Sequence, residues 1–116
     1  MVTVRMTRQF HAWVDALDRN AREAVFEVIE MLKDRGVHLR EPHTKSIEGT
    51  TYPLRELRTK ALRRAVRAIY AFDPRRDAVL LIGGIKAGND KHFYKGIVPK
   101  AERIWIEYLR ELKKWQ

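Results

Sequence analysis

Two groups of charged residues in this chain have the types and spacing to handle a phosphate. Arg55, Arg58, Lys60, Arg63, Arg64 and Arg67 fall on two successive stretches. Lys86, Asp90, Lys91, His92, Tyr94 and Lys95 follow the apolar run AVLLIGGI, residues 78–85. Arginine forks hold phosphate oxygens in two-point contact and stay charged throughout a reaction. A lysine crowded by other cations can give up its proton far below its ordinary value, because like charges favour the neutral amine. Together these groups suit metal-free cleavage of RNA, which needs three things: a deprotonated ribose 2′-hydroxyl, a stabilised phosphorane and a protonated 5′-oxygen as it leaves. Tyr94 could stack on a base or pass a proton, and His92, as a histidine, is a plausible acid or base.

Each residue also has a plainer explanation. Tyr94 could be packing at the edge of a core, and His92 a solvated loop histidine. Arg63 and Arg64 could stand in solvent at a strand entrance, and Lys91 and Lys95 could keep an edge soluble. Arg67 resists this treatment. It is isolated among Val66, Ala68 and Ile69, where a cation needs an anionic partner or ligand.

The composition narrows the function classes. There is no cysteine, which excludes disulfides, thiolate metal sites and a cysteine nucleophile. His11, His38, His43 and His92 form no helical pair at metal spacing, and neither phosphate-loop nor dinucleotide glycine motif is present; Gly83-Gly84 alone is a weak signal. Neither a metal nor another cofactor is expected. Lys and Arg number 24 against 15 Asp and Glu, a net charge of +9, which favours polyanions or an acidic partner. The stretch MVTVRMTRQF lacks the apolar core of a signal peptide, and no segment approaches a membrane span. A soluble, cytoplasmic protein of one domain, residues 1–116, is expected.

The elements that would position these groups follow from periodicity. Residues 2–6 alternate as a half-buried strand does. Phe10, Trp13, Val14 and Leu17 have amphipathic helical spacing, as do Val25, Val28, Ile29 and Leu32. Asp18 or Asn20 can cap the second helix, and Gly36 stops it, so the two make a helical hairpin. Residues 37–51 read as a polar connection. Three strands are expected next, over 51–58, 64–72 and 78–85, the last covered on both faces. A C-terminal helix carrying Ala101, Ile104, Trp105, Tyr108 and Leu112 opens near Pro99. The order β-αα-βββ-α predicts an α+β fold: a small, mostly antiparallel sheet with helices over one face. In a meander of these strands, Arg67 projects toward a groove lined by Arg55 or Arg58, with Lys86 across it. The charged segment after the third of them forms a loop wall.

Several segments in this order resemble the RelE/HigB-type toxins of bacterial toxin–antitoxin modules: LRELR (54–58), RAIYAFDP (67–74), LLIGGIKAGN (80–89), the pair Phe93-Tyr94, and Ile97-Val98-Pro99 with Ala101. The resemblance runs from about residue 45 to 112. It implies a compact sheet carrying helices and a toxin that cuts messenger RNA, usually on the ribosome. It also implies a cognate antitoxin, often a helix-turn-helix DNA-binding protein. By position, Arg67 matches the phosphate-stabilising arginine, Arg55 and Arg58 the basic groove, Lys86 the basic residue after the last core strand, and Tyr94 the aromatic residue of the site. Arg64, Lys91 and Lys95 join them as candidate RNA contacts. The base is open among Lys86, Asp90 and His92. Relatives often carry tryptophans where this chain has Asn89-Asp90-Lys91-His92-Phe93. Two alternatives stand beside it: a non-enzymatic inhibitor of DNA gyrase, like the ParE-like relatives that share this architecture, and an inactive toxin fold serving only as its antitoxin's co-repressor.

Overall fold

A computed structural model describes residues 1–115. In chain order the elements are β1 (Val4–Met6), α1 (Arg8–Asp15), α2 (Arg19–Arg35), β2 (Thr44–Ser46), β3 (Arg55–Ala61), β4 (Arg64–Phe72), β5 (Ala78–Lys86) and α3 (Asp90–Lys114). Local chemistry sets most of the boundaries. Thr7 caps α1 by accepting from the Phe10 N–H, and Asp18 caps α2 by accepting from the Ala21 N–H. Gly36, at φ +56°, closes α2 in a conformation that side chains resist.

The strands form one sheet in the order β1-β5-β4-β3-β2. Strands β2 to β5 pair antiparallel, and β1 lies parallel to β5. This is the expected α+β fold, with one rearrangement: the helices cover both faces. Val66, Ala68 and Tyr70 of β4 pack with Phe10, Val14, Val25 and Leu32 of the helical hairpin. Ile69 of β4, with Val79 and Leu81 of β5, packs with Ile97, Ala101 and Trp105 of α3. An apolar inner sheet needs covering twice, and α3 supplies the second layer.

Three boundaries also differ from those the sequence suggests. The connection after α2 contains β2, whose Lys45 pairs with Glu56 of β3. Strand β3 begins at Arg55, leaving 51–54 outside it. Helix α3 begins at Asp90 and runs through Pro99, so the expected loop wall is helical. The Asn89 side chain makes that earlier start, accepting from the backbone N–H groups of Lys91 and His92.

A bulge in β5 matters most for the site. Ile69 pairs with Ile82 but Tyr70 pairs with Leu80, so β5 carries one extra residue there. Before the bulge, Ala78 and Leu80 face the helical hairpin. Beyond it the phase is reversed, and even-numbered residues turn toward α3: a methyl on Gly84 would meet Phe93 and Ile97. Lys86, two residues further, shares that face.

Candidate active site

On the α3 side of the sheet lies a groove of about 410 Å³. Its floor and one wall come from β2 and β3, through Lys45, Ser46, Glu56 and Arg58. Lys86 of β5 and Asp90, Lys91 and Tyr94 of α3 close the other side. Arg67 of β4 lies beneath it, only 6% exposed and paired directly across the strands with Arg58.

The centre of this arrangement is Glu56, a carboxylate 3% exposed. The Tyr94 hydroxyl donates to it, 2.7 Å from Oε1 and 3.0 Å from Oε2. Two guanidiniums flank it at longer range: Arg67 Nε is 3.9 Å from Oε1, and Arg58 Nε is 3.8 Å from Oε2. Arg67 Nη1 donates to the carbonyls of Thr59 (3.3 Å) and Val66 (3.2 Å). Its Nε is buried with no hydrogen-bond partner among the described residues.

Burial pushes the Tyr94 phenol up to about 12, helped by its hydrogen bond to Glu56 and the charge of that carboxylate; Arg67 pulls the other way. At neutral pH this phenol therefore keeps its proton. Across the groove, Lys86 Nζ lies 2.8 Å from Asp90 Oδ1. That hydrogen bond and the lysine's charge hold the Asp90 carboxyl below its usual range, with Arg67 and Arg58 adding to the effect. Lys86 therefore faces a carboxylate, not the crowd of bare cations imagined from the sequence.

Six of the residues singled out from the sequence gather at this groove: Arg58, Arg67, Lys86, Asp90, Lys91 and Tyr94. Four do not. Arg55 projects from the opposite face, where Nη1 donates to Ser46 Oγ at 2.7 Å and Nε reaches the Tyr70 hydroxyl at 3.4 Å. Strand alternation dictates this, since Arg55 and Arg58 are three apart and must point oppositely. Arg64 turns to the helical hairpin and holds both oxygens of Asp18, the cap of α2. His92 and Lys95 are exposed on α3, outside the residues lining the groove.

Sequence reasoning missed Glu56 and Lys45. Glu56 had a signal: the period-two alternation that aims Arg58 into the groove aims Glu56 there as well. Lys45 had none, because its place depends on β2 pairing with β3 across a long connection.

Among the described residues, no three His, Cys, Asp or Glu side chains are grouped to hold a metal ion, and no helix is long and apolar enough to cross a membrane.

Known proteins with similar sequences carry a consistent name. Over 103 residues the chain is 35% identical to "Putative toxin HigB3" of Mycobacterium tuberculosis (strain ATCC 25618 / H37Rv), covering 88% of this chain and 89% of that protein. It is also 35% identical over 104 residues to "Putative toxin HigB2" of the same organism. That match covers 88% of this chain but 52% of the relative, so the chain spans about half of HigB2's length. No solved structure matches significantly. A family profile fits residues 12–105, which take in β2 to β5 and most of α3, and the chain belongs to that family, described as Phage derived protein Gp49-like (DUF891).

Proposed function

We propose that this chain is the toxin of a type II toxin–antitoxin module of the RelE/ParE superfamily. In this reading it is a metal-independent endoribonuclease that cuts messenger RNA on the ribosome and so stops translation and growth. One observation carries it: Arg58, Arg67, Lys86 and Tyr94, from four different elements, converge on one groove. The names of the HigB relatives and the resemblance to RelE/HigB-type toxins support it. A cognate antitoxin, typically of helix-turn-helix type, is the expected partner, and a net charge of +9 suits an acidic one.

Each group has a task in the reaction. Arg58 and Arg67 hold the scissile phosphate and stabilise the phosphorane, with Lys86 opposite them. The ribose 2′-oxygen attacks phosphorus, and its proton goes to a groove carboxylate. Glu56 is placed for that; Asp90 is a weaker acceptor because Lys86 holds it below the usual carboxylate range. The bond to the 5′-oxygen breaks, and Tyr94, which keeps its proton at neutral pH, donates to the departing oxygen. The products are a 2′,3′-cyclic phosphate and a free 5′-hydroxyl.

The test is purified protein added to ribosomes translating a defined message, followed by mapping of the RNA ends. An excess of EDTA over divalent ions cannot be used with intact ribosomes, so metal independence is checked on free RNA in EDTA. Cleavage leaving cyclic phosphate ends, abolished by Arg67→Gln and by Lys86→Met, is expected. Intact message in both settings refutes the proposal.

A further inference from the structure

We infer that Glu56 is the resident anion of the phosphate site, and that a substrate phosphate must displace it to reach Arg58 and Arg67. The inference rests on the groove being a phosphate site, as proposed above.

Arg58 and Arg67 are directly opposed on neighbouring strands. Two like charges in that position repel, and Arg67 is buried as well. An anion must lie close, and Glu56 is that anion. Yet its geometry is not that of a closed salt bridge. Charge-assisted N–H···O bonds run to about 2.7–2.9 Å. Here the two Nε–carboxylate distances are 3.8 and 3.9 Å, and Arg67 Nε is left without a hydrogen-bond partner among the described residues. Glu56 is instead held by Tyr94, whose hydroxyl bridges both its oxygens. The carboxylate is near enough to balance the charge and too far to satisfy the donors. It stands where a phosphate would be attracted, tethered to α3 rather than to the arginines.

A phosphate oxygen brought to hydrogen-bond distance of these Nε donors would take up what Glu56 leaves open. It would also meet the negative charge of Glu56, so the carboxylate has to swing away. Displacement frees Glu56 from between the guanidiniums at the moment the 2′-proton needs an acceptor. In the empty groove the same carboxylate opposes every other anion, including the nonspecific polyanions that a chain of this charge would otherwise collect.

A purely structural Glu56, one that merely steadies the arginines, predicts the opposite effect of neutralising it. The experiment measures fluorescence anisotropy of a labelled single-stranded oligodeoxyribonucleotide, which lacks the 2′-hydroxyl and cannot be cut. Wild type, Glu56→Gln and Arg67→Gln are compared at one salt concentration, each checked by circular dichroism and thermal melting. Glu56→Gln is expected to bind at least about tenfold more tightly, since one opposing charge a few ångströms away is removed; Arg67→Gln binds more weakly. Equal or weaker binding by a folded Glu56→Gln overturns the inference. If that variant does not fold, a crystal structure of the wild type with the same oligonucleotide decides. A phosphate oxygen on Arg67 Nε with Glu56 moved aside supports displacement, and an unmoved Glu56 overturns it. Failure of the wild type to bind removes the phosphate site itself and the inference with it. Binding without cleavage of the matching RNA on ribosomes removes only the proposed activity.

Discussion

Tyr94→Phe separates the chemical from the structural role of the phenol, because it removes one oxygen and keeps the ring. That ring packs edge-on against Phe93, with centroids 5.1 Å apart, and this contact survives the change. What is lost is a hydroxyl donating to both oxygens of a buried carboxylate. A hydrogen bond to a charged group is worth about 1.5–3 kcal/mol, and a half-buried donor falls toward the lower end. The variant should therefore unfold more easily by about 1–2 kcal/mol and remain folded at 25 °C. Catalysis should suffer more: removing a general acid costs roughly 10²–10⁴-fold in kcat. Single-turnover cleavage of ribosome-bound message at pH 7, beside a denaturant melt of each protein, measures both. A folded Tyr94→Phe that cleaves within a few-fold of wild type refutes the assignment of Tyr94 as the acid.

The same variant has a signature in alkali. The phenol is pushed from an ordinary value of 10.0 to about 12 in the folded protein. Below pH 10 both states hold the proton, and the stabilisation is fully present. Between pH 10 and about 12 the unfolded chain releases the proton while the folded one keeps it. The unfolded state then binds fewer protons, so stability falls as pH rises. Solvent screening of a half-buried group limits this contribution to about 1 kcal/mol. Tyr94→Phe should lose that part of the alkaline decline in Tm.

Two further outcomes follow from placement. Gly83→Ala should destabilise the fold by about 1–3 kcal/mol, because its methyl would come within 2.6 Å of three Trp13 ring carbons; a shift in tryptophan emission with a lower Tm measures it. Arg55→Ala and Arg64→Ala should leave cleavage of free and ribosome-bound RNA within a few-fold of wild type, because both side chains lie off the groove; a hundredfold loss in a folded variant contradicts that placement.

How much of this site could be read in advance depends on how local its causes are. The faces of β4 are legible because alternation over 64–72 is uninterrupted. Arg67 stands out for the same reason: one cation among Val66, Ala68 and Ile69. The start of α3 is obscured by Pro99, which also suits a first helical turn. Apolar spacing does continue back through Phe93 and Ile97, and Asn89 is a good cap. The bulge in β5 has no local sign at all. Without it, Lys86 would share the phase of Ala78 and Leu80 and turn toward the helical hairpin.

The register also accounts for Gly83-Gly84, a pair that on its own is only a weak phosphate-binding signal. Arg58, Arg67 and Gly84 lie in one row across β3, β4 and β5. A side chain at the third place would stand against Phe93 and Ile97 and hold α3 off the sheet. Gly83 does the same service on the opposite face, where the Trp13 ring lies against it. Close approach of α3 is what brings the Tyr94 hydroxyl within 2.7 Å of Glu56. The row thus sets two arginines side by side, at a cost in repulsion, and a bare glycine beside them that admits the helix carrying the phenol. The register that aligns the arginines is therefore inseparable from the glycine that lets α3 close over them.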